Sequence, residues 1–284
     1  MIRVALFADL HGRILLAWKL VERYQRETGQ TIDLILQCGD MGIFPDLDKL
    51  DRATLKYAQE DRSELGFHDD FLTPDPSIQQ LLDGLSCNML CVRGNHEDHN
   101  FLDGLEQAHR GSAYPVDCYQ RIFMLKTGHP FLFQKEEVAL SVLGIGRIGD
   151  RKGRTHGPYI QPYEQAQLQQ LIYKQPLIDV LLTHDSALHF SDYGYGMQEI
   201  RDILNALSPQ HHFYGHTGKP FSRTIDANGH SISWKIKELE YKQNQLLEEG
   251  CMLILTKDEN GIEVEAVEAD WLKEYTQSSW RYID

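Results

Sequence analysis

One pattern occurs three times in the first hundred residues and constrains the fold more than any other feature. A short apolar run ends in a polar turn at Asp9-Leu10-His11-Gly12, at Cys38-Gly39-Asp40 and at Arg93-Gly94-Asn95-His96. A helical pattern follows the first turn, from Ile14 to Tyr24. Apolar runs of this kind are typical of buried parallel strands, whose polar turns meet at one edge of a sheet. We therefore predict a βαβ-like first half.

The second half is predicted to be richer in strands. Its apolar or alternating runs are Val138 to Ile145, Ile178 to Leu182, His212 to Tyr214, Ser231 to Ile236, Met252 to Leu255 and Ile262 to Ala266. The helical patterns among them are Tyr163 to Tyr173 and Met197 to Leu207. Because no linker or repeat separates the two halves, we expect one layered α/β domain over residues 1–267.

Two segments are expected to embellish this domain. Residues 44–76 form an acidic insertion with nine acidic and four basic side chains. A charge run of this kind is typical of a solvated helix face. Residues 268–284 form the second segment, a C-terminal tail.

Composition and charge limit the partners. With 42% hydrophobic and 25% charged residues the chain is typical of globular proteins, and its net charge of −14 argues against binding duplex DNA. A local basic site is still compatible with this charge. Five cysteines without CxxC spacing predict reduced thiols, and no leader or membrane span is recognisable. We therefore expect a cytoplasmic protein without a membrane partner.

The polar residues at the predicted strand ends are of the types that bind metal ions. They are Asp9, His11, Asp40, Asn95, His96, His184 and His216. Carboxylate, amide and imidazole donors without cysteine suit manganese, iron or zinc, and the imidazoles disfavour a pure calcium site. Such a set can hold two cations about 3.5–4 Å apart, clamping the attacking and leaving oxygens of a phosphoryl displacement.

Five short motifs in order resemble those of the calcineurin-like metallophosphoesterases. They are Asp9-Leu10-His11, Gly39-Asp40, Gly94-Asn95-His96-Glu97, Thr183-His184-Asp185 and Gly215-His216-Thr217. The resemblance covers roughly residues 1–225. It implies a four-layer α/β/β/α sandwich of two mixed β-sheets flanked by helices.

The resemblance also implies roles for these residues and two divalent metal ions as cofactors. Asp9 and His11 would bind the first metal, and Asp40 would bridge both. The second metal would be held by three further ligands, Asn95, His184 and His216. His96 would sit beside the substrate, stabilising the phosphate or protonating the leaving oxygen. A hydroxide bridging the metals would be the nucleophile.

The last motif departs from the family pattern. The family usually has Gly-His-x-His there, whereas this chain has Gly215-His216-Thr217-Gly218. Glycine has no side chain that can bind a metal, so the first metal would lose one ligand. Water, a substrate oxygen or another residue such as His230 would take its place. We therefore expect weaker affinity at the first metal site.

A glycine-rich loop between Gly146 and Arg154 carries four basic residues. The loop is interpreted either as solvated or as a phosphate clamp in which Arg147 and Arg151 contact the substrate. It faintly resembles the corresponding stretch of RNA lariat debranching enzymes, which typically carry cysteine where this chain has Asp9. The substrate is therefore predicted to be a phosphate ester, with nucleotides and RNA among the classes left open.

These observations predict a metal-dependent phosphoesterase, and a phosphodiesterase rather than a Ser/Thr protein phosphatase. Arg93 to Glu97 match the protein phosphatases, but the stretch from Gly39 to Pro45 lacks their second aspartate and their arginine. A protein phosphatase remains one alternative. The other is a non-catalytic protein-interaction scaffold on the same fold, with Gly218 as the first sign of lost activity. A non-ligating His96 beside the metals argues against the scaffold. The oligomeric state is left open.

Overall fold

The computed structural model describes residues 1–150, 152–190, 194–241 and 245–283. Within these residues there are thirteen strands. In chain order they are β1 (Ile2–Phe7), β2 (Leu34–Gln37), β3 (Asn88–Cys91), β4 (Ala113–Pro115), β5 (Ile122–Leu125), β6 (Phe131–Lys135), β7 (Val138–Ile145), β8 (Val180–Thr183), β9 (His211–Tyr214), β10 (Ser222–Ile225), β11 (Ile232–Lys235), β12 (Leu253–Lys257) and β13 (Ile262–Ala266).

Six α-helices connect or cover these strands in the described part of the chain. They are α1 (Ile14–Thr28), α2 (Arg52–Tyr57), α3 (Pro76–Asp83), α4 (His99–Ala108), α5 (Pro162–Lys174) and α6 (Gln198–Leu207). Short 3-10 or π turns occur in the insertion and near the C-terminus. No helix among the described residues combines the length and apolarity needed to cross a bilayer.

The strands form two mixed sheets, and each sheet has a centre of four parallel strands. The seven-stranded sheet has the order β13-β12-β1-β2-β3-β5-β4, and the six-stranded sheet has the order β10-β11-β9-β8-β7-β6. Strands β1, β2, β3 and β5 are parallel in the first sheet, as are β7, β8, β9 and β11 in the second. Strands β4 and β12 in the first sheet and β6 and β10 in the second run antiparallel to these centres, and β13 pairs antiparallel with β12.

Side chains alternate between two cores along the central strands, which confirms the predicted four layers. In β1, Val4 and Leu6 join the core that the two sheets share, whereas Ala5 and Phe7 join the core under α1. In β8, Leu181 packs with residues of α5 and α6 on the other outer face. A strand with an apolar residue on each face is buried only when both faces are covered.

The segment predicted to be a C-terminal tail packs against the first outer core. Trp271, Tyr275 and Trp280 are buried there. Arg281 donates to both carboxylate oxygens of Asp70 in the insertion, at 3.1 and 2.9 Å. Lys19 in α1 donates to two carbonyls at the end of the segment. The last residues thus join α1 to the insertion.

We expect Trp280→Ala to destabilise the whole domain, because it removes one of the largest fully buried side chains. The free energy of unfolding should fall by about 3–5 kcal/mol, measured by urea denaturation. Tyr282→Ala is the matched control, since Tyr282 is 85% exposed and its loss should change stability by about 0.5 kcal/mol or less. Equal small effects of both changes would show that the segment adds nothing to the fold.

Candidate metal centre

The candidate ligands follow the carboxyl ends of parallel strands in both sheets. Asp9 follows β1 and Asp40 follows β2, and their turns are joined by backbone hydrogen bonds. The amide of His11 donates to the carbonyl of Asp40 at 2.9 Å, and that of Gly12 donates to Met41 at 2.8 Å. The local strand-turn pattern thus places these side chains side by side at one edge of the sandwich.

Four candidate ligands have unusual backbone conformations. Asp9, His11, Asp40 and His216 have φ values of 48°, 43°, 54° and 64°. Left-handed backbone is uncommon for residues other than glycine and costs of order 1–3 kcal/mol at each position. Such strain persists where the surrounding structure enforces it, and it concentrates at functional sites.

Two motif glycines allow the carboxylates to lie close to the backbone. A Cβ atom at Gly94 would overlap the Asp40 carboxylate, and one at Gly215 would overlap that of Asp9. This close approach lets the carboxylates accept hydrogen bonds from backbone amides. Asp40 Oδ1 accepts from the amides of Asn95 and His96 at 2.7 and 2.8 Å. Any larger residue than glycine at these two positions would displace a carboxylate.

The side chains form two donor groups that share Asp40. One group is Asp9, His11 and Asp40, and the other is Asp40, His184 and His216; within each group the ligand atoms lie within 4.8 Å of one another. His184 Nε2 lies 3.3 Å from Asp40 Oδ2 and 3.1 Å from Asn95 Oδ1. The structure therefore brings together all six metal ligands that the resemblance implies.

A hydrogen bond orients the His184 ring. Its Nδ1 lies 2.8 Å from the carbonyl oxygen of Cys38, which can only accept. Nδ1 therefore carries a proton and donates it, and Nε2 points at Asp40 and Asn95. A backbone carbonyl on the far nitrogen is the usual way in which proteins orient a metal-binding imidazole.

The electrostatics of the cluster fit a bound cation. Burial raises the pKa of Asp9 to about 7, although His184 lowers it, whereas His184 holds the pKa of Asp40 well below its usual range in spite of burial. Burial lowers the pKa of His11 to about 4, which leaves its ring neutral. Burial lowers the pKa of His184, but the charge and hydrogen bond of Asp40 and the charge of Asp9 outweigh it and raise the value to about 9. The two buried carboxylates thus need a positive charge between them, which His184 supplies here and a bound cation could supply instead.

His96 lies beside these groups and is paired with an aspartate that the sequence analysis missed. Its Nδ1 is 2.7 Å from Oδ2 of Asp51, in the insertion. Burial lowers the pKa of His96, but the hydrogen bond from His96 to Asp51 and the charge of Asp40 outweigh it and raise the value to about 9. The ring is therefore protonated at neutral pH.

Glu97 holds the turns around Asp40 in place. Its buried carboxylate accepts from the amides of Met41 and Ile43 at 3.0 and 2.8 Å, and from Gly94 at 3.3 Å. Glu97 was part of a recognised motif but had no predicted role. Its contacts join the turns that follow β2 and β3, so Glu97 positions the candidate ligands but belongs to neither donor group.

The first donor group has no fourth protein ligand among the residues described. Gly218 lines the same cavity as the ligands, but its φ is 64° and nothing lies within 4 Å of the position a Cβ would take. His230 does not replace it. It precedes β11, which runs parallel to β9 with Ile232 opposite His211, so His230 lies at the far end of β9 from His216.

Arg147, one of the two predicted substrate contacts of the basic loop, is engaged with other side chains inside the protein. Arg147 is 1% exposed, and its guanidinium bonds to Asp103 at 2.6 Å and lies 3.1 Å from Glu164. It also donates to the carbonyl of Gly157. These partners satisfy its charge inside the protein, so Arg147 is not free to clamp a phosphate. Arg151 lies outside the described residues.

Two cavities meet at His216. The acidic cavity, of about 550 Å³, contains the ligand cluster and has walls from the insertion, the segment after β11 and the C-terminal segment. These walls include Tyr57, Glu60, Asp61, Glu64, Glu238, Glu240, Tyr241 and Gln277. The cationic cavity, of about 510 Å³, lies on the other side; its lining includes Asp150, Lys152, Arg154, Tyr159, Asp185, Tyr195 and Lys219.

Comparisons with known proteins agree with this geometry. The calcineurin-like phosphoesterase family model matches residues 2–220, and the chain belongs to this family, as the five motifs predicted. Membership implies metal-dependent phosphoester hydrolysis. The crystal structure of TT1561 from Thermus thermophilus has 14% sequence identity and a TM-score of 0.56, and the match covers 94% of this chain and 99% of that one. That likeness shows a shared fold.

Another solved structure with a detectable similarity is a 5′-nucleotidase from Candida albicans. It has 12% identity and a TM-score of 0.47, and the match covers 99% of this chain and 53% of that chain. No curated protein showed significant sequence similarity to the chain.

We expect Asp40→Asn to remove both metal ions, because both donor groups share this carboxylate. Asparagine keeps the shape and the oxygen that accepts from Asn95 and His96, so the fold should survive. His11→Ala is the control that removes one donor from the first group alone. Metal content of the purified proteins by plasma mass spectrometry should fall at both sites in the first variant and at one site in the second. Two retained ions in Asp40→Asn would remove Asp40 from the centre.

Proposed function

We propose that the chain is a phosphodiesterase that uses two divalent metal ions. The observation that carries the proposal is the pair of buried donor groups sharing Asp40 at the carboxyl ends of the parallel strands. Asp9, His11 and Asp40 would hold the first ion. Asp40 and three further residues, Asn95, His184 and His216, would hold the second. These donors suit manganese, iron or zinc.

Two divalent cations, when bound, lower the pKa of bound water and neutralise the charge of the phosphate. The protein residues supply the rest of the chemistry. His96 Nδ1 is held by Asp51, so the proton on Nε2 is the one available to a substrate oxygen. His96 also lines the acidic cavity. A protonated imidazole there can donate its proton to the leaving oxygen, and Asp51 keeps the ring oriented.

The two cavities support a diester rather than a monoester substrate. The acidic cavity, of about 550 Å³, contains the ligand cluster, and the cationic cavity, of about 510 Å³, adjoins it at His216. A phosphate diester carries two organic groups on different oxygens of phosphorus, and each needs its own space. A monoester would use only one of the two cavities. The protein phosphatase alternative has no such feature in its favour.

We expect His96→Ala to lower kcat by about 10²–10⁴-fold with metal content unchanged. The loss should be larger for a diester with an alkyl leaving group than for a p-nitrophenyl ester, because nitrophenolate leaves without a proton. Asp51→Asn should show the same dependence on the leaving group with a smaller loss. The measurement is steady-state hydrolysis of both esters by the manganese-loaded protein.

Asp46→Asn is the matched control for Asp51→Asn. Asp46 caps a short 3-10 turn in the same insertion, where its carboxylate accepts from the amide of Asp48, whereas the His96 ring is held by Asp51. Equal losses with both leaving groups would make His96 a positioning residue instead of an acid. A wild-type protein that binds two ions and hydrolyses no ester would favour the scaffold alternative.

The first metal site should be the weaker one, because its group has only three protein donors. Calorimetric titration with Mn²⁺ should show two affinities that differ by at least about tenfold, or about 1.4 kcal/mol. His11→Ala should abolish the weaker binding phase and His184→Ala the tighter one. Matched affinities in the wild type would contradict the prediction.

Restoring the missing donor provides a second readout. Gly218→His should strengthen the weaker site, although its left-handed backbone strains any side chain there. Histidine is among the residues that tolerate this conformation. Gly218→Ala carries the same strain without a ligand, so it should leave the weaker affinity unchanged.

A further inference from the structure

The two cavities beside the metal centre differ in charge. The acidic cavity is lined by seven carboxylates and one guanidinium; the carboxylates are Asp9, Asp40, Glu60, Asp61, Glu64, Glu238 and Glu240, and the guanidinium belongs to Arg13. The cationic cavity has three basic side chains, Lys152, Arg154 and Lys219, in a chain whose net charge is −14. An additional anionic group of a ligand is therefore favoured on the cationic side of the centre over the acidic side.

The carboxylates of the cationic cavity are already engaged. Asp150 accepts from the side chain and the backbone amide of Arg154, both at 2.6 Å. Asp185 accepts from the amides of Gly149 and Ser186 at 3.1 and 2.7 Å. Lys152 is exposed at the same wall. Among the described lining residues, Asp150 is paired with Arg154 and Asp185 is held by backbone amides, and three basic side chains stand against two carboxylates.

The lining of the cationic cavity also contains planar side-chain groups. The Arg154 guanidinium lies over the Tyr159 ring at 4.1 Å from its centroid, and the Tyr195 ring is 59% exposed in the same lining. Stacked guanidinium and phenol faces bind heterocyclic bases, because every base has a π face. A cavity of about 510 Å³ is large enough for a nucleotide.

We propose that the cationic cavity binds a nucleotide half of the diester, one that carries a phosphate beyond the scissile one. This rests on the proposed phosphodiesterase function. The base stacks on the Arg154 guanidinium, which lies over the Tyr159 ring, and on Tyr195, and Lys152 contacts the additional phosphate. The acidic cavity takes the uncharged half of the substrate.

The placement fixes which bond breaks. His96 lines the acidic cavity, so the ester oxygen that can hydrogen-bond to its ring belongs to the uncharged half. Water adds its oxygen to phosphorus, and the bond from phosphorus to the uncharged alcohol breaks. The alcohol leaves with a proton that the attacking water releases, carried through solvent. The nucleotide therefore keeps the scissile phosphate.

Three nitrophenyl esters test the subsite: bis(p-nitrophenyl) phosphate, the p-nitrophenyl ester of thymidine 5′-phosphate, and the same ester with a 3′-phosphate. The wild type should prefer the last by kcat/KM. Lys152→Ala should lower the preference for the 3′-phosphorylated over the unphosphorylated thymidine ester by about 10-fold or more, the effect of a lost charge-assisted hydrogen bond. Tyr159→Ala should lower kcat/KM for both thymidine esters more than for the bis-ester.

Lys174→Ala is the matched control. Lys174 ends α5, which precedes β8, so it lies at the end of the sandwich opposite the metal centre. It should leave all three kcat/KM values unchanged. An unchanged preference in Lys152→Ala, with the bis-ester still hydrolysed, overturns the subsite and leaves the proposed function standing. A wild type that hydrolyses none of the three esters overturns the proposed function itself.

The bond that breaks has its own test. The substrate is thymidine 3′-phosphate 5′-(methyl phosphate), and the products are identified by mass spectrometry. Methanol and thymidine 3′,5′-bisphosphate are expected. Methyl phosphate and thymidine 3′-phosphate would show the opposite orientation and overturn the placement of the nucleotide.

Discussion

The Asp40 carboxylate connects the two sheets, and the rest of the site is arranged around it. One oxygen accepts from the amides of Asn95 and His96 in the first sheet, and the other lies 3.3 Å from His184 in the second. A buried carboxylate has to be compensated by hydrogen bonds or positive charge. The left-handed backbone at Asp40 and the absence of a side chain at Gly94 are the local conditions that let these contacts form.

The parts of the fold and site that could be predicted from the sequence are those encoded locally. An apolar strand followed by a polar turn carries its own signal, so β1, β2 and β3 end within a residue or two of the predicted polar turns. The edge strand β10 was not predicted. All four of its residues are exposed, so no apolar pattern marks it, and only pairing with β11 makes it a strand.

The parts that could not be predicted depend on partners far away in the chain. Asp51 reads as a helix cap, and it does accept from the amides of Ala53 and Thr54, but its other oxygen binds His96, 45 residues later. From the sequence, Arg147 is interpreted as a phosphate clamp because it lies in a basic loop. Its charge is instead satisfied by Asp103 and Glu164, and nothing near Arg147 in the sequence announces either carboxylate.

The walls of the acidic cavity come from segments outside the five motifs. The insertion contributes Asp61 and Glu64, both held by Arg13 at 2.9 and 3.1 Å. Gln277, near the C-terminus, donates to Asp61 at 3.3 Å, beyond the residues that the family model matches. A shared fold fixes the metal ligands, whereas the cavity walls decide which ester fits. The acidic side of the centre therefore depends on segments outside the five motifs, and part of it lies beyond the residues that the family model matches.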